Sequence, residues 1–417
     1  MQTRNDESEL PLSGLRVLDV GTYIAAPVAA TVLGDYGAEV IKIEQPGAGD
    51  PNRVIQASHA YPKCAVNYPW EMDGRNKRSI ALDIVRPEGR DALEALIRRA
   101  DVLVTNFPLR LRERMRLRWE DLREAHPRLV YASLTGFGES GPERDQPGFD
   151  STAYFARSGF LDINRYEDQP PHFSMPAAGD RATAMSIVSA VVIALLRRER
   201  TGRGGMVSTS LLAAGLWSNG VAVQAALLGS VLPLRPPRER PRSALGNCYC
   251  AKDGRWFSIA LPMEERFWPG LCRVVGRLEL EHDARFATTV ARRANAAELT
   301  RVFDEVFAQE DWAVWRERLM AERMIFSPIT RVEDLVDDPQ ARAAQAIIES
   351  DNPDMPLTLA APFRIDGVEP RPAGRAPTLG EHSAEILREA GLGENEITRL
   401  IEAGVAARSI SDQGNRA

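Results

Sequence analysis

"LRVLDVGTYIAAPVAATVLGDYGAEVIKIEQPG", Leu15 to Gly47, is the stretch whose reading decides the fold. It opens on a short β-branched run, "LRVLDVG". The middle, "AAPVAATVLGDYGA", spaces its apolar residues as a helix does and ends at a glycine, and "EVIKIEQPG" returns to a strand pattern closed by Pro-Gly. Strand, helix and strand in that order make one βαβ unit. The alternation continues through "RSIALDI", "PEGRDALEALIRRA", "DVLVTNF", "WEDLREAHP" and "RLVYASLTGFG". The sequence therefore predicts an α/β fold: a parallel sheet with helices packed on its faces.

Further along, Gly204 to Gly229 reads as a strand and one apolar helix, and "LPLRPPRERPR" as a linker. A different rhythm begins at Asn247, where "NCYCAKDGRWFSIAL" is a hairpin turning at Asp253-Gly254, followed by helical runs to about Ala321. This segment is expected to form a smaller α+β domain. The closing "PFRIDG", "GEHSAEILREAGL" and "NEITRLIEAGV" share the character of the first domain. The expected division is a discontinuous large domain from residues 1–225 and 335–417, with 226–334 as the small one.

The chain has 417 residues, 44% hydrophobic and 26% charged, the composition of a globular protein able to bury an active site. A net charge of -6 argues against a general nucleic-acid or anionic-membrane binder and leaves small molecules or proteins as partners. The longest apolar run, Ala182 to Leu196, is broken by serines and is shorter than the roughly 20 residues of a membrane span. No signal-peptide pattern opens the chain, and the polar ends "MQTRNDESE" and "SISDQGNRA" are expected to fray. Cys64, Cys248, Cys250 and Cys272 form no CxxC pair, so neither zinc nor a disulfide framework is indicated; a reducing cytoplasm fits.

The first βα turn, "VGTYIAAP", has neither GxGxxG nor GxxxxGK[ST], which disfavours an ATP-driven ligase or an ordinary NAD enzyme. GxSxG, HExxH and a Cys-His arrangement are absent too, and the five histidines stand in solvent or capping contexts. What remains is carboxylate. Asp180 stands immediately before a long apolar segment, in "PAAGDRATAMSIVSAVVIALLRR". There it is either an ordinary helix cap or an anionic nucleophile held at the carboxyl ends of the sheet.

Several separated motifs, "LPLSGLRVLDVGTYIAAPVAATVLGDYGAEVIKIEQPGAGDPNR", "GRNKRSIALDI", "DVLVTNFPLRLRERMRLRWEDLREAHPRLVYASLTGFGESGP", "PAAGD", "RRERTGRGGMV" and "TLGEHSAEIL", occur in one order. Together they resemble the class III CoA-transferases, the formyl-CoA transferase and carnitine CoA-transferase group, from about Leu10 to beyond Leu387. The resemblance implies a Rossmann-like large domain built from both chain ends, a small domain, and an interlocked homodimer. It implies Asp180 as the nucleophile, with acyl-CoA and small carboxylic acids as substrates and no permanently bound cofactor or metal. Tyr23, Ile24, Ala25, Leu82, Asn106, Phe107, Arg114 and Met115 fall on positions that line the CoA site in that family, and Asp150 on an acidic position of the substrate site.

Some of these residues read two ways. Arg114 is either a bidentate phosphate ligand or a solvated helix arginine. Lys77 and Arg78 either steer an anion or form a solvated pair, and Asp150 either meets substrate or caps the next helix. The aromatics of "AYFARSGF", 153–160, either meet substrate or belong to the core. Relative to formyl-CoA transferase, Ile24 replaces a glutamine, a tryptophan near Ile55 is missing, and so is a run of four glycines in the small domain. These departures point away from formate and oxalate and toward a larger, more apolar acyl group. The racemase branch of the superfamily has a histidine where this chain has Phe149, so proton abstraction lacks one of its two bases.

Overall fold

The computed structural model describes residues 9–173 and 175–409, and the tails expected to fray lie almost wholly outside them. Seven strands form the main sheet: Arg16–Val20 (β1), Glu39–Glu44 (β2), Lys77–Leu82 (β3), Val102–Thr105 (β4), Val130–Thr135 (β5), Gly205–Ser210 (β6) and, late in the chain, Ala406–Ala407. The first six run parallel in the order β3-β2-β1-β4-β5-β6, and Ala406–Ala407 pairs antiparallel with the outer edge of β3. Successive strand residues serve opposite faces, and with helices covering both faces β1, β2, β4 and β5 are buried almost throughout. Val17, Val40, Val102 and Val130 pack under the helices Ala25–Asp35 and Ala178–Thr201. Leu18, Ile41, Leu103 and Tyr131 pack under Pro87–Ile97, Ser383–Glu389 and Glu394–Glu402.

Strand order reverses between β1 and β4. The loop after β1 leaves in one direction and the loop after β4 in the other, so a crevice opens beyond their carboxyl ends, where ligands of such sheets bind.

The chain divides into two compact units. The larger is built from a first stretch ending at Phe160, from Phe173–Ser230, and from a last stretch beginning at Ala341. The end of the chain is tied into it by side chains: Tyr36 stacks on Phe363 at 4.8 Å and donates to its carbonyl, and the Trp70 indole donates to Pro377 O. The smaller unit comprises Leu161–His172 and Val231–Gln340. Gly246–Cys250 (β7), Trp256–Ala260 (β8) and Phe326–Pro328 (β9) form its antiparallel sheet, with the β7–β8 hairpin turning through Gly254 at φ +79°. Tyr249, Phe257, Phe303, Phe307 and Trp315 fill its core.

Two local expectations need correction. The apolar helix after β6 is two helices, Leu211–Ser218 and Gly220–Leu227, because Asn219 turns its amide to donate to Ser158 O at 3.1 Å. Lys77 and Arg78 are neither a solvated pair nor a free cationic edge. They begin β3, with Lys77 buried on Asp19 and Arg78 held by Glu39, Glu385 and Glu389.

The helix Ala178–Thr201 has the length and apolarity to cross a bilayer, alone among the described residues. Here Ala184, Ile187, Val188, Val191 and Leu195 lie in the core against the sheet and the helix Ala25–Asp35.

Candidate active site at the strand-order reversal

Two adjoining clefts occupy the crevice and share Thr22 and Phe107. One, of about 190 Å3, is walled by Thr22–Ala25, Asn106–Leu109, Gln146–Phe149 and Leu211, and Asp180 lies in its lining. The other, of about 200 Å3, runs from Gly21 and Thr22 past Ile43–Gln45 to Leu82, Ile84, Leu111 and Met115. Tyr23, Ile24, Ala25, Asn106, Phe107 and Asp180 are thus brought together in the first cleft, and Leu82, Phe107 and Met115 in the second. Arg114 lines neither; it is exposed at the end of the helix Leu109–Arg114.

The turn after β1 is shaped by its polar partners. Asn106 accepts from Thr22 N–H and donates to Thr22 O, both at 2.8 Å, so its amide joins the two diverging loops. Tyr23 has φ +61°, a region that a bulky residue rarely occupies, and its amide donates to Asp50 at 2.9 Å. Lys42 pairs with Asp50 at 2.8 Å and donates to Gly21 O, while Lys77 pairs with Asp19 at 2.9 Å and donates to Pro27 O at 2.7 Å. Burial alone would raise Asp19, but Lys42 and Lys77 hold its carboxyl below the ordinary range. Against its own burial, Lys42 is held above the ordinary lysine value by Asp19, Asp50 and Glu44. The helix that follows begins at Ala25, and its first amides have no intrahelical acceptor.

Asp180 is not the cap of its helix. The N-cap is Ala177, in a left-handed conformation at φ +69°, and Asp180 is the third helical residue. Its carboxylate is half-buried, and among the described residues no hydrogen bond or ion pair engages it. Burial first, then the charge of Asp150, pushes it up to about 7 against the pull of Arg181, with Asp73 adding to the rise. Arg181 itself is committed to Asp73 at 2.8 Å.

Asp150 opens the π-helical turn Asp150–Ala156 and is buried. The backbone amides of Ser151, Gly179 and Ala177 favour its charged form, yet burial outweighs them and raises its carboxyl; one oxygen, Oδ2, is buried without a hydrogen-bond partner among the described residues. The turn packs so closely on the long helix that a Cβ at Gly179 would lie 2.6 Å from the Tyr154 ring. Tyr154 stacks on Phe160 and both meet Phe155 edge to face, beside Leu211 and Ala214, so the aromatics of 153–160 form a small core of their own.

Sequence reading did not single out Asp73 or Tyr61. Burial, then the charges of Asp180, Asp150 and Asp73, pushes the Tyr61 phenol up to about 12, which puts it within electrostatic reach of all three carboxylates. Neither residue sits in a motif or periodicity that marks it. Phe149 entered only as the residue replacing a histidine, although it lines the cleft with Asp180.

With this geometry the chain matches the CoA-transferase family III over residues 12–383, and it belongs to that family. It is a family III CoA-transferase. It is 31% identical over 399 residues to the (R)-2-hydroxy-4-methylpentanoate CoA-transferase of Clostridioides difficile, covering 94% of this chain and 99% of that one. It is 30% identical over 397 residues to the cinnamoyl-CoA:phenyllactate CoA-transferase of Clostridium sporogenes, covering 93% and 95%. Among solved structures, a CAIB/BAIF family protein from Brucella suis superposes with a TM-score of 0.80 at 30% identity, over 91% of this chain and 99% of that one.

Proposed function

We propose that Asp180 carries CoA between carboxylic acids by covalent catalysis. Its carboxylate attacks the acyl-CoA thioester carbonyl, the C–S bond breaks, and an aspartyl–acyl anhydride forms with release of CoA thiolate. The thiolate then attacks the aspartyl carbonyl, expelling the donor acid as its carboxylate and leaving CoA as a thioester on Asp180. An incoming carboxylate reverses the two steps. One thioester is made for each one broken and no proton is gained or lost, so no ATP loop is required. The observation that carries this reading is the unpaired Asp180 carboxylate in the lining of the crevice, its ionisation pushed up to about 7. A more basic, partly desolvated carboxylate is a stronger nucleophile than a solvated one.

The two clefts give CoA a path, with the thioester beside Asp180 and the rest of the cofactor along Phe107, Leu82 and Met115. Arg114, exposed near the end of that path, meets a phosphate. The oxyanions that develop at the two carbonyls are met by the free amides that begin the helix Ala25–Asp35. Asp150 faces the first amides of the catalytic helix and acts on substrate through the charge state of Asp180. CoA enters as a substrate and no resident cofactor takes part.

A second copy of the chain is proposed to cover Trp217, Val221, Leu227 and Leu228, which are 74% exposed or more, as in an interlocked dimer within the cytoplasm. Hydroxylamine tests the chemistry. Incubation with an accepted acyl-CoA is expected to leave a hydroxamate on the peptide containing Asp180. Turnover without that label, or turnover by an Asp180→Ala variant, overturns the reading.

A further inference from the structure

The cleft beside Asp180 is walled by apolar groups whose placement is not explained by the transfer chemistry. Ile24, Phe107, Leu134 and Leu211 line it, and so do Tyr23 and Phe149, whose rings meet edge to face at 5.5 Å with an 86° angle between their planes. Tyr23 is 38% exposed and Phe149 54%, which is too much for two large rings serving only as core. Their backbones, by contrast, are firmly held.

Tyr23 is kept in its left-handed conformation by the hydrogen bond its N–H donates to Asp50, and Asp50 is itself fixed by Lys42 and by the hydrogen bond its own N–H donates to Glu44. Phe149 donates its N–H to Thr152 Oγ1 at 3.0 Å, and the same hydroxyl donates back to Phe149 O at 3.1 Å. The residue before it, Gly148, lies so near Gly136 that a Cβ would come within 3.1 Å of the Gly136 Cα. Backbone held in a sparsely populated conformation so that a ring stands in a cleft is strain kept at a site of use. A preformed edge-to-face pair with open ring surface is suited to an apolar, flat or branched group that reaches it.

We infer that Tyr23 and Phe149 form a rigid aromatic clamp that selects the acid to be carried: a monocarboxylic acid with an aromatic or branched apolar body, in preference to acetate-sized or doubly charged acids. The inference rests on the CoA-transfer reading above and specifies its substrate class. A second carboxylate on the acid would share the cleft with Asp180 and lie near Asp150, so like charges oppose dicarboxylates. Arg144, which also lines the cleft and whose ion pair among the described residues is with its neighbour Asp145 at 3.6 Å, is the cationic side chain of the lining and would favour them. A clamp that served the pantetheine arm of CoA would act equally on every acid, and this separates the two uses of the rings.

The test offers the full-length enzyme 3-methylbutanoyl-CoA as donor and an equimolar mixture of acetate, phenylacetate and succinate as acceptors, with the CoA esters read together by mass spectrometry. Wild type is expected to make phenylacetyl-CoA over acetyl-CoA and succinyl-CoA by about tenfold or more, and Tyr23→Ala and Phe149→Ala each to reduce that ratio about tenfold. Tyr23→Phe, which keeps the ring, should retain the wild-type ratio. Acetate or succinate preferred by wild type, or an unchanged ratio in both alanine variants, overturns the clamp. A ratio does not depend on how much enzyme is folded. Hydroxylamine trapping with the same donor keeps the two readings apart: a labelled Asp180 with an unmoved ratio sinks the clamp alone, whereas an unlabelled Asp180 sinks the transfer mechanism beneath it.

Discussion

Asp19 and Asp180 both stand near the crevice between β1 and β4, and the fold treats them in opposite ways. Asp19 is sealed between Lys42 and Lys77, accepts the Gly21 amide, and is held below the ordinary carboxylate range. Asp180 has no partner among the described residues and is pushed up to about 7. The first arrangement fixes backbone, since its lysines also hold Gly21 O and Pro27 O, on either side of the Thr22–Ala25 wall of the cleft. The second leaves a charge underused. A carboxylate whose hydrogen-bonding capacity is already spent is a poor nucleophile, whereas one deprived of partners and of water gains by bonding to a carbonyl carbon.

The sharpest way to break the contrast is to remove the unpaired member. Asp180→Asn keeps the shape and loses the nucleophile, and the expected fall in kcat is about 10⁴-fold, as for nucleophiles that act as part of a unit. Steady-state assay of acyl-CoA formation checks it. Activity within tenfold of wild type would mean that Asp180 bonds to nothing.

Unpairing the other member should act on stability instead. Lys77→Met leaves Asp19 with Lys42 alone in a fully buried site, at an expected cost of about 3–5 kcal/mol. Urea unfolding measures it, and a companion Asp19→Asn substitution should recover part of the loss. Because Asp19 is lowered in the folded state, its contribution is present above the unfolded value near 3.8 and is lost only as pH falls through the folded value. The loss of stability in Lys77→Met should therefore be largest at neutral pH and shrink in acid.

The two regions also differ in how visible they were in the sequence. The βαβ rhythm of Leu15–Gly47 was readable because strand and helix periods are local, and the motifs around Asn106 and Asp180 fall where the crevice forms. The ion network was not readable. Asp19, Lys42 and Lys77 are single polar residues in three different strands, and only the register of the sheet brings them together. The cap of the long helix was unreadable for a similar reason: Ala177 takes the left-handed position, which no side-chain preference announces, and Asp180 falls inside the first turn. The break at Asn219 depends on a carbonyl 61 residues away.

The pH dependence of the reaction refines the comparison further. Asp180 attacks only when ionised, so kcat/KM for the free enzyme should rise with pH through an apparent value near 7. After burial, the charge of Asp150 is the strongest influence opposing that ionisation, and Asp73 acts the same way while Arg181 acts against both. Asp150→Asn should move the rising limb to lower pH, by less than the whole shift because burial remains. A limb that stays in place would show that Asp150 remains protonated throughout, or lies too far away to act. A uniform loss of rate with the limb unmoved would make its role structural, through the first amides of the helix.

The smallest expected effect is on the thermal stability of the catalytic variant, and its sign is the informative part. In the unfolded chain Asp180 loses its proton near 3.8, but in the folded protein it keeps it until about 7. Between those values the folded state binds more protons, so this residue's contribution is complete below about pH 4 and drains away as pH rises toward 7. Asparagine is neutral at every pH and carries no such penalty. Asp180→Asn should therefore melt above wild type by a smaller margin near pH 5 than at pH 8, where the gap is a few degrees, and scanning calorimetry at the two pH values resolves the difference. The same substitution on the paired side, Asp19→Asn, should lower the melting temperature at pH 8. If both substitutions moved stability in the same direction, the opposition between a charge that holds the fold and a charge kept for chemistry would fail.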